Sequence, residues 1–383
     1  MNQPHSNSHI PSSRQAPRVA LVTDWLTNMG GAEPLLLEVH KLFPDAPIYT
    51  SVYNAEKMPA FAACDVRTTY LQKWLPSFIR YKHVLWPVLR AHAFRQLDLS
   101  DFDIIISTSS AEAKAVKKTR TNQVHIAYIH TPTRYYWSHY EEFKNEFNFG
   151  ALTPLIRPFI PLFVKIMRKY DLKSVEGIDY FVANSTVTQQ RIKQYYRRPS
   201  TVIYPPIETA EFMPPPKTNR QGYIVWGRHV PYKRFDLAIE ACNRLKLPLT
   251  VVSSGPDTER LKKLAGPTIT FTGRVSDDEL VRLAQHSRAF LFPNEEDFGM
   301  SAVEAMAAGT PVVAYAKGGA LDIVQDGETG ILFKEQTVEA LMAAIQRLDD
   351  YTFLPATLYR KSKRFDKGLF ATKIRKIVND TQL

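Results

Sequence analysis

The apolar positions of this chain gather in short continuous runs separated by stretches of helical spacing. In the first half the runs are 18–23 (RVALVT), 103–107 (DIIIS), 124–128 (VHIAY) and 180–183 (YFVA). Continuous runs of this length are expected of strands in a parallel sheet covered on both faces. After the first run comes EPLLLEVHKLF, apolar at helical spacing, with Pro34 in the first turn where no amide hydrogen is needed. A second set starts at 223–226 (YIVW) and continues through LTVVSSG, ITFTG, AFLFPN and PVVAY, each followed by a helical stretch. Between the sets lies YPPIETAEFMPPPKTNRQG, with five prolines, a composition suited to a linker. The pattern predicts an α/β chain of two Rossmann-like, doubly wound parallel-sheet domains facing each other across a cleft. The expected divisions are a tail at 1–17, a first domain at 18–206, a linker at 207–221 and a second domain at 222–364. The C-terminal stretch 365–383 has helical periodicity and is expected to pack back on the first domain.

Length agrees with this division, because 383 residues exceed what one ordinary core accommodates. At 44% hydrophobic and 11% aromatic residues the chain is globular in composition. The opening MNQPHSNSHIPSSRQAP is polar, lacks the apolar stretch of a signal peptide, and is expected to be disordered. No apolar run approaches the length of a membrane span. Cys64 and Cys242 lie far apart with no partner at metal-ligand spacing, as expected of free thiols in a reducing cytosol.

Charge changes the picture more. The net charge is +11, and residues 1–206 carry most of it, with 25 Lys/Arg against 16 Asp/Glu. Residues 66–97 hold Arg67, Lys73, Arg80, Lys82, Arg90 and Arg95 and no acid, with Trp74, Phe78, Trp86 and Phe94 interleaved. Pro76 and Pro87 should break the stretch into short helices. Bases mixed with aromatics suit an anionic membrane surface; the alternative is the solvated face of a partly buried helical pair. No aromatic RNA-binding strand, zinc spacing or recognition-helix pattern supports nucleic acid as a partner.

Ligands of open parallel sheets bind beyond the carboxyl ends of the strands, and the suggestive loops sit there. YIVW runs into Gly227-Arg228-His229-Val230-Pro231-Tyr232-Lys233. Arg228 and Lys233 suit a diphosphate, Arg as a fork and Lys as a point charge, unless both are ordinary surface cations. AFLFPN runs into EEDFGMSAVEAMAAG. Phe298, Gly299, Met300 and Ser301 would aim backbone amides at an anion, and Glu296 and Glu304 would accept from sugar hydroxyls on either side. Ser301-x-x-Glu304 also fits a capping box, in which Glu304 serves only its own helix. Such a set suits a nucleotide-sugar, with a diphosphate in the middle and hydroxyls at both ends. In the first half, Gly30 and Gly31 follow the first strand without a dinucleotide fingerprint. His130 ends the strand VHIAYI ahead of Thr-Pro-Thr-Arg-Tyr-Tyr-Trp, a placement that suits catalysis, although a lone His is often structural. Asp101-x-Asp103 is either a metal motif or a strand-entry turn.

Taken together, GRxxxxK, FTGRVSDDEL, the E-x7-E within EDFGMSAVEAMAAGTPVVA and the following GG resemble the retaining glycosyltransferases of family 4, which have the GT-B fold. The stretches TDWLTNMGGAE, FPDAPIYTSVY, IHTPTRYYW and VIYPPIE resemble a bacterial, mannosyltransferase-like subgroup of surface-polysaccharide synthesis. The resemblance implies that Arg228 and Lys233 hold the donor diphosphate, Glu304 the ribose and Glu296 the transferred sugar. It places Val275 at the base, Gly31 near the diphosphate from the other domain, and His130 near the reacting sugar. It implies a hexose moved with retention, mannose from GDP-mannose, to a glycan or polyprenyl-linked acceptor on the cytoplasmic membrane face, with no metal and no cofactor. The alternatives are a UDP-sugar-dependent transferase of the same fold, a nucleotide-sugar epimerase, or a non-catalytic nucleotide-sugar-binding protein. Pro34 and Ala115 depart from the family pattern and leave acceptor binding open.

Overall fold

The computed structural model describes residues 16–81, 87–138, 140, 141, 153 and 157–381. Residues 1–15 of the expected tail, and Lys82 and Trp86 of the basic stretch, lie outside the described residues. The first sheet contains β1 (Val19–Thr23), β2 (Ile48–Thr50), β3 (Val66–Thr68), β4 (Ile104–Ser109), β5 (Val124–Ile129), β6 (Tyr180–Ala183) and β7 (Thr201–Val202). The second contains β8 (Tyr223–Trp226), β9 (Leu249–Val252), β10 (Ile269–Gly273), β11 (Ala289–Phe292), β12 (Val312–Tyr315) and β13 (Gly330–Phe333). Their orders are β3-β2-β1-β4-β5-β6-β7 and β10-β9-β8-β11-β12-β13, with every pairing parallel. Each order reverses beside the domain's first strand, between β1 and β4 and between β8 and β11, which opens a crevice at that point.

The short β2, β3 and β7 have two or three residues each and leave no recognisable run in the sequence. Residues 66–68 of the basic stretch are therefore a strand of the sheet, paired with β2. Around the first sheet stand α1 (Ala32–Leu42), three short helices α2 (Leu71–Trp74), α3 (Ser77–Arg80) and α4 (Pro87–Arg95), then α5 (Ile160–Ser174) and α6 (Thr186–Arg191). In the second domain α7 (Phe235–Leu245), α8 (Met300–Ala307) and α9 (Ala320–Ile323) follow β8, β11 and β12. Leu35, Leu36 and Val39 of α1 cover one face of the first sheet. Phe370, Ile374 and Val378 of the last helix, α10 (Lys367–Asp380), enter the same core. The chain thus crosses between the domains twice, side by side: Ile207 donates to Phe365 at 3.1 Å and Lys367 to Ile207 at 3.0 Å, backbone to backbone.

Several charges of the first half are internal. Arg90, counted above among the bases of a surface stretch, is buried, pairs with Glu112 at 2.8 Å and lies over the Trp25 ring at 5.1 Å. Lys114 is buried and pairs with Asp171 at 2.9 Å. Asp171 also accepts from Trp137 Nε1 at 2.7 Å, Tyr196 Oη at 2.9 Å and Thr133 Oγ1 at 3.2 Å. Asp24, at the end of β1, accepts from the amides of Ser110, Ala111 and Ala113 and so fixes the loop after β4. The Asp101-x-Asp103 pair serves strand entry, Asp103 accepting from the Arg18 amide at 3.0 Å and pairing with Arg120 at 3.0 Å.

Removing one partner of a buried pair leaves an uncompensated charge. Lys114→Met should therefore lower the unfolding free energy by roughly 3–5 kcal/mol. Urea unfolding measures this, and a change near zero would show that Asp171 is satisfied by Trp137, Tyr196 and Thr133 alone.

Candidate active site

The loops after β1, β4 and β5 and those after β8 and β11 converge on one cleft of about 790 Å³. That volume suits a ligand of nucleotide-sugar size. The second-domain wall is built first by glycines. Gly227 has φ +135°, a conformation open to glycine, and starts the turn after β8. His229 is buried and anchors that turn through Thr258 Oγ1 at 2.9 Å, which leaves its neighbour Arg228 exposed. Lys233 comes back to the cleft and pairs with Glu296 from the loop after β11. Asn294 donates to the same Glu296 oxygen at 2.8 Å. Burial works against the Lys233 charge, but Glu296 and its neighbours together outweigh it and raise the ammonium pKa.

Gly299, φ +105°, opens α8; a Cβ there would stand 2.7 Å from Phe292 Cζ. Phe298, buried, packs its ring against Tyr204 and Phe365 and is also part of the cleft lining. Met300 and Ser301 begin the helix at the cleft. Glu304 accepts from Trp226 Nε1 at 3.2 Å, and the start of α8 has no side-chain cap. Burial raises the Glu304 pKa, with the Trp226 bond and the Lys233 charge opposing.

On the first-domain wall, Gly31 faces α8; a Cβ there would lie in ordinary contact with Met300 Sδ, at 3.7 Å. Gly30 does not line the cleft; its amide donates to Glu33 Oε2 at 2.7 Å. His130 lines the cleft, and its buried Nε2 has no partner among the described residues. Burial, only partly opposed by Asp24 and Asp297, lowers its pKa to about 4, so the ring is neutral near pH 7. Thr131 Oγ1, buried beside it, also lacks a partner among the described residues.

Of the expected residues, the structure brings Lys233, Glu296, Phe298, Gly299, Met300, Ser301, Glu304, Gly31 and His130 to one cleft. Arg228 is exposed next to the lining Gly227, and Val275 packs on the second-domain core away from the lining. Sequence reasoning gave no role to Arg134 and Asp297, which pair across the cleft, to Arg191, which joins them, or to Trp226. The only signal was charge complementarity between two loops 163 residues apart, which spacing cannot reveal.

Residues 207–363 match the family model of the glycosyl transferases group 1. A GDP-mannose-dependent alpha-(1-6)-phosphatidylinositol monomannoside mannosyltransferase of Mycobacterium tuberculosis is 29% identical over 206 residues, 45% of this chain and 53% of that protein. A D-inositol 3-phosphate glycosyltransferase of Nocardioides sp. is 29% identical over 197 residues, 41% of this chain and 43% of that protein. The matches thus span about half the length of these relatives. Among solved structures, Anabaena Alr3699/HepE in complex with UDP superposes with a TM-score of 0.69 at 17% identity, covering 94% of this chain and 100% of that one. Sucrose-phosphate synthase of Thermosynechococcus elongatus gives 0.68 at 17% identity, covering 95% and 98%. The fold is therefore that of the GT-B glycosyltransferases, and the second domain carries the group 1 pattern.

Two histidines make stability depend on pH. His125, buried and bonded to Ser107 Oγ at 2.8 Å, is also lowered to about 4, mainly by burial. An unfolded His gains its proton as the pH falls through 6.5, whereas the folded ones gain theirs only near 4. The unfolded state therefore binds more protons in this window, and stability, full above it, falls as the pH is lowered across it. Urea unfolding between about pH 7 and 5 should show the decline, and His125→Asn should flatten it. A slope unchanged in that variant would contradict the assignment.

Proposed function

We propose that this protein is a retaining glycosyltransferase that moves a hexose from a nucleotide-sugar to a glycan acceptor. One observation carries the reading. Lys233, Glu296 and Glu304 converge with the N-terminus of α8 on one wall of a cleft whose other wall holds His130 and Gly31. On this reading the donor exchanges partners with the Lys233–Glu296 pair: the diphosphate takes Lys233, and the sugar hydroxyls take Glu296. The ribose hydroxyls donate to Glu304. The amides at 299–301 and Arg228 complete the diphosphate site, and they supply positive field without a metal. As the bond between the sugar's anomeric carbon and the diphosphate breaks, the acceptor oxygen bonds to that carbon on the same face and gives its proton to the leaving diphosphate, whose growing charge Arg228 and Lys233 stabilise. No protein nucleophile is required.

GDP-mannose is the proposed donor, supported by the mycobacterial mannosyltransferase among the relatives. The alternative is a UDP-sugar, supported by the Anabaena neighbour, whose structures hold UDP and UDP-glucose. With donor saturating, Arg228→Ala and Lys233→Ala should each slow turnover about 100-fold, as loss of one transition-state charge contact does elsewhere. Near-wild-type rates in both would reject the diphosphate site. Glu304→Gln should weaken nucleoside diphosphate binding, measured by calorimetry, because an amide oxygen accepts less strongly than a carboxylate; unchanged binding would remove Glu304 from the ribose.

We further propose that the enzyme works on an anionic, cytoplasmic membrane face and takes a lipid-linked acceptor. Trp74 and Phe78 are 78% and 75% exposed, next to Lys73 and Arg80. Phe159, Leu162, Phe163 and Ile166 are exposed on and beside α5 among Lys165 and Lys169. Phe163 lines the cleft, so the α5 face borders it. Among the described residues no helix is long and apolar enough to span a membrane. Each base near an anionic surface contributes about 1 kcal/mol, so four give reversible attachment. Co-sedimentation with anionic vesicles should exceed that with neutral ones and fade as salt rises. Equal partitioning to both would leave these faces merely solvated.

A further inference from the structure

Helix α6 belongs to the first domain, yet both of its ends are tied to the second. At its start Thr186 donates to Asp322 through its amide at 2.8 Å and its hydroxyl at 2.6 Å. At its end Arg191 donates to Asp297 Oδ1 through Nη1 and to Glu295 Oε1 through Nη2 at 3.1 Å. The second oxygen of Asp297 accepts from Arg134 Nη2 and, at 3.2 Å, from Nε. Asp297 is 8% exposed and Arg191 9%, so the charge-assisted bond between them forms largely out of water, while Arg134 and Glu295 keep part of their side chains in solvent.

The second-domain side has no slack. A Cβ on Gly318 would come within 2.2 Å of the Glu296 carbonyl oxygen, and one on Gly319 within 2.1 Å of that of Phe298. The Gly319 amide donates to the Glu296 carbonyl at 2.8 Å. Asp322 follows three residues later, on α9. Loop 295–298 is thus gripped from beneath by its own domain and from across the cleft by two arginines. Asp297 directly follows Glu296, and Arg134 lies four residues after His130. One ion cluster therefore connects the two loops that present His130 and Glu296 from opposite walls.

We propose that Asp297 is a positioning residue, whose bonds to Arg134 and Arg191 set the separation of His130 and Glu296 and so align the bound sugar with the acceptor. The alignment rests on the glycosyl-transfer reading of the cleft; the domain spacing does not. The groups assigned to the donor diphosphate and ribose, Arg228, Lys233 and Glu304, all stand on the second domain, so the cluster bears on donor affinity only through Glu296 and Gly31. Displacement of about 1 Å at a reacting centre costs on the order of 100-fold in rate.

Asp297→Asn keeps the size and removes the charge. It should lower kcat about 100-fold while the donor KM stays within about threefold, the pattern of lost transition-state alignment. Arg134→Lys should retain more kcat than Arg134→Met, because lysine keeps the charge and loses the fork. Arg134→Met also replaces Asp297→Asn as the test if the latter does not fold. A folded variant with kcat within about threefold of wild type overturns the proposal. Small-angle scattering of the ligand-free proteins tests the domain spacing without turnover: the radius of gyration should rise in Asp297→Asn. If the wild type turns over no nucleotide-sugar, the functional reading fails, and scattering alone decides the role of the cluster, with an unchanged radius overturning it.

Discussion

Lys233 and Glu296 neutralise each other in a wall where each side chain is about 15% exposed, 15% and 16% respectively. Neither could stay charged there alone without a large desolvation cost. The pair joins the loop after β8 to the loop after β11, the two loops that flank the switch point of the second sheet. Glycines shape what surrounds it: Gly227 turns the first loop, Gly299 starts α8, and Gly318 and Gly319 let a third loop press on the second. The wall is therefore rigid in backbone and exchangeable in charge. A ligand bearing both an anion and hydroxyls can replace each partner's bond with an equivalent one, whereas a ligand with only one of these leaves a charge stranded.

The first domain uses the same economy of buried charge for a different end. Arg90 with Glu112, Lys114 with Asp171, and Asp24 with three backbone amides hold the loop after β4 under the cleft. Of these groups Arg90 and Glu112 line the cleft, whereas Asp24, Lys114 and Asp171 do not. They fix the wall from which His130 and Thr131 present polar atoms that have no partner among the described residues. Burial leaves the positive balance of the first half unchanged, since the buried Arg90, Lys114 and Arg191 are matched there by the buried Asp24, Glu112 and Asp171.

How much of this could be read from the sequence follows from where the determinants sit. The two sheets were legible because β1, β4, β5, β6, β8, β9, β11 and β12 are mainly apolar runs, a pattern that double-sided burial imposes, while the edge strand β10 alternates instead. The short β2, β3 and β7 were not, because two or three residues carry no period. The second wall was legible because Glu296 to Glu304 lie in one local stretch where loop, glycine and helix start are adjacent. The cross-domain cluster was not: Arg134, Arg191 and Asp297 become neighbours only when two domains meet. Sequence likewise gave Arg90 to a surface that it does not share, since a base count cannot tell a solvated guanidinium from one folded against Trp25 and Glu112.

On the reading proposed above, the cleft binds a nucleotide-sugar through its diphosphate and its hydroxyls together. Thermal unfolding in the presence of a panel of nucleotide-sugars and their nucleoside diphosphates tests it most directly. Binding at 100 times the dissociation constant adds about 2.7 kcal/mol to stability, enough to raise the melting temperature by a few degrees. The account predicts that one nucleotide-sugar does so, that its nucleoside diphosphate does so less, and that inorganic phosphate does not. A melting temperature unmoved by every member of the panel would contradict it.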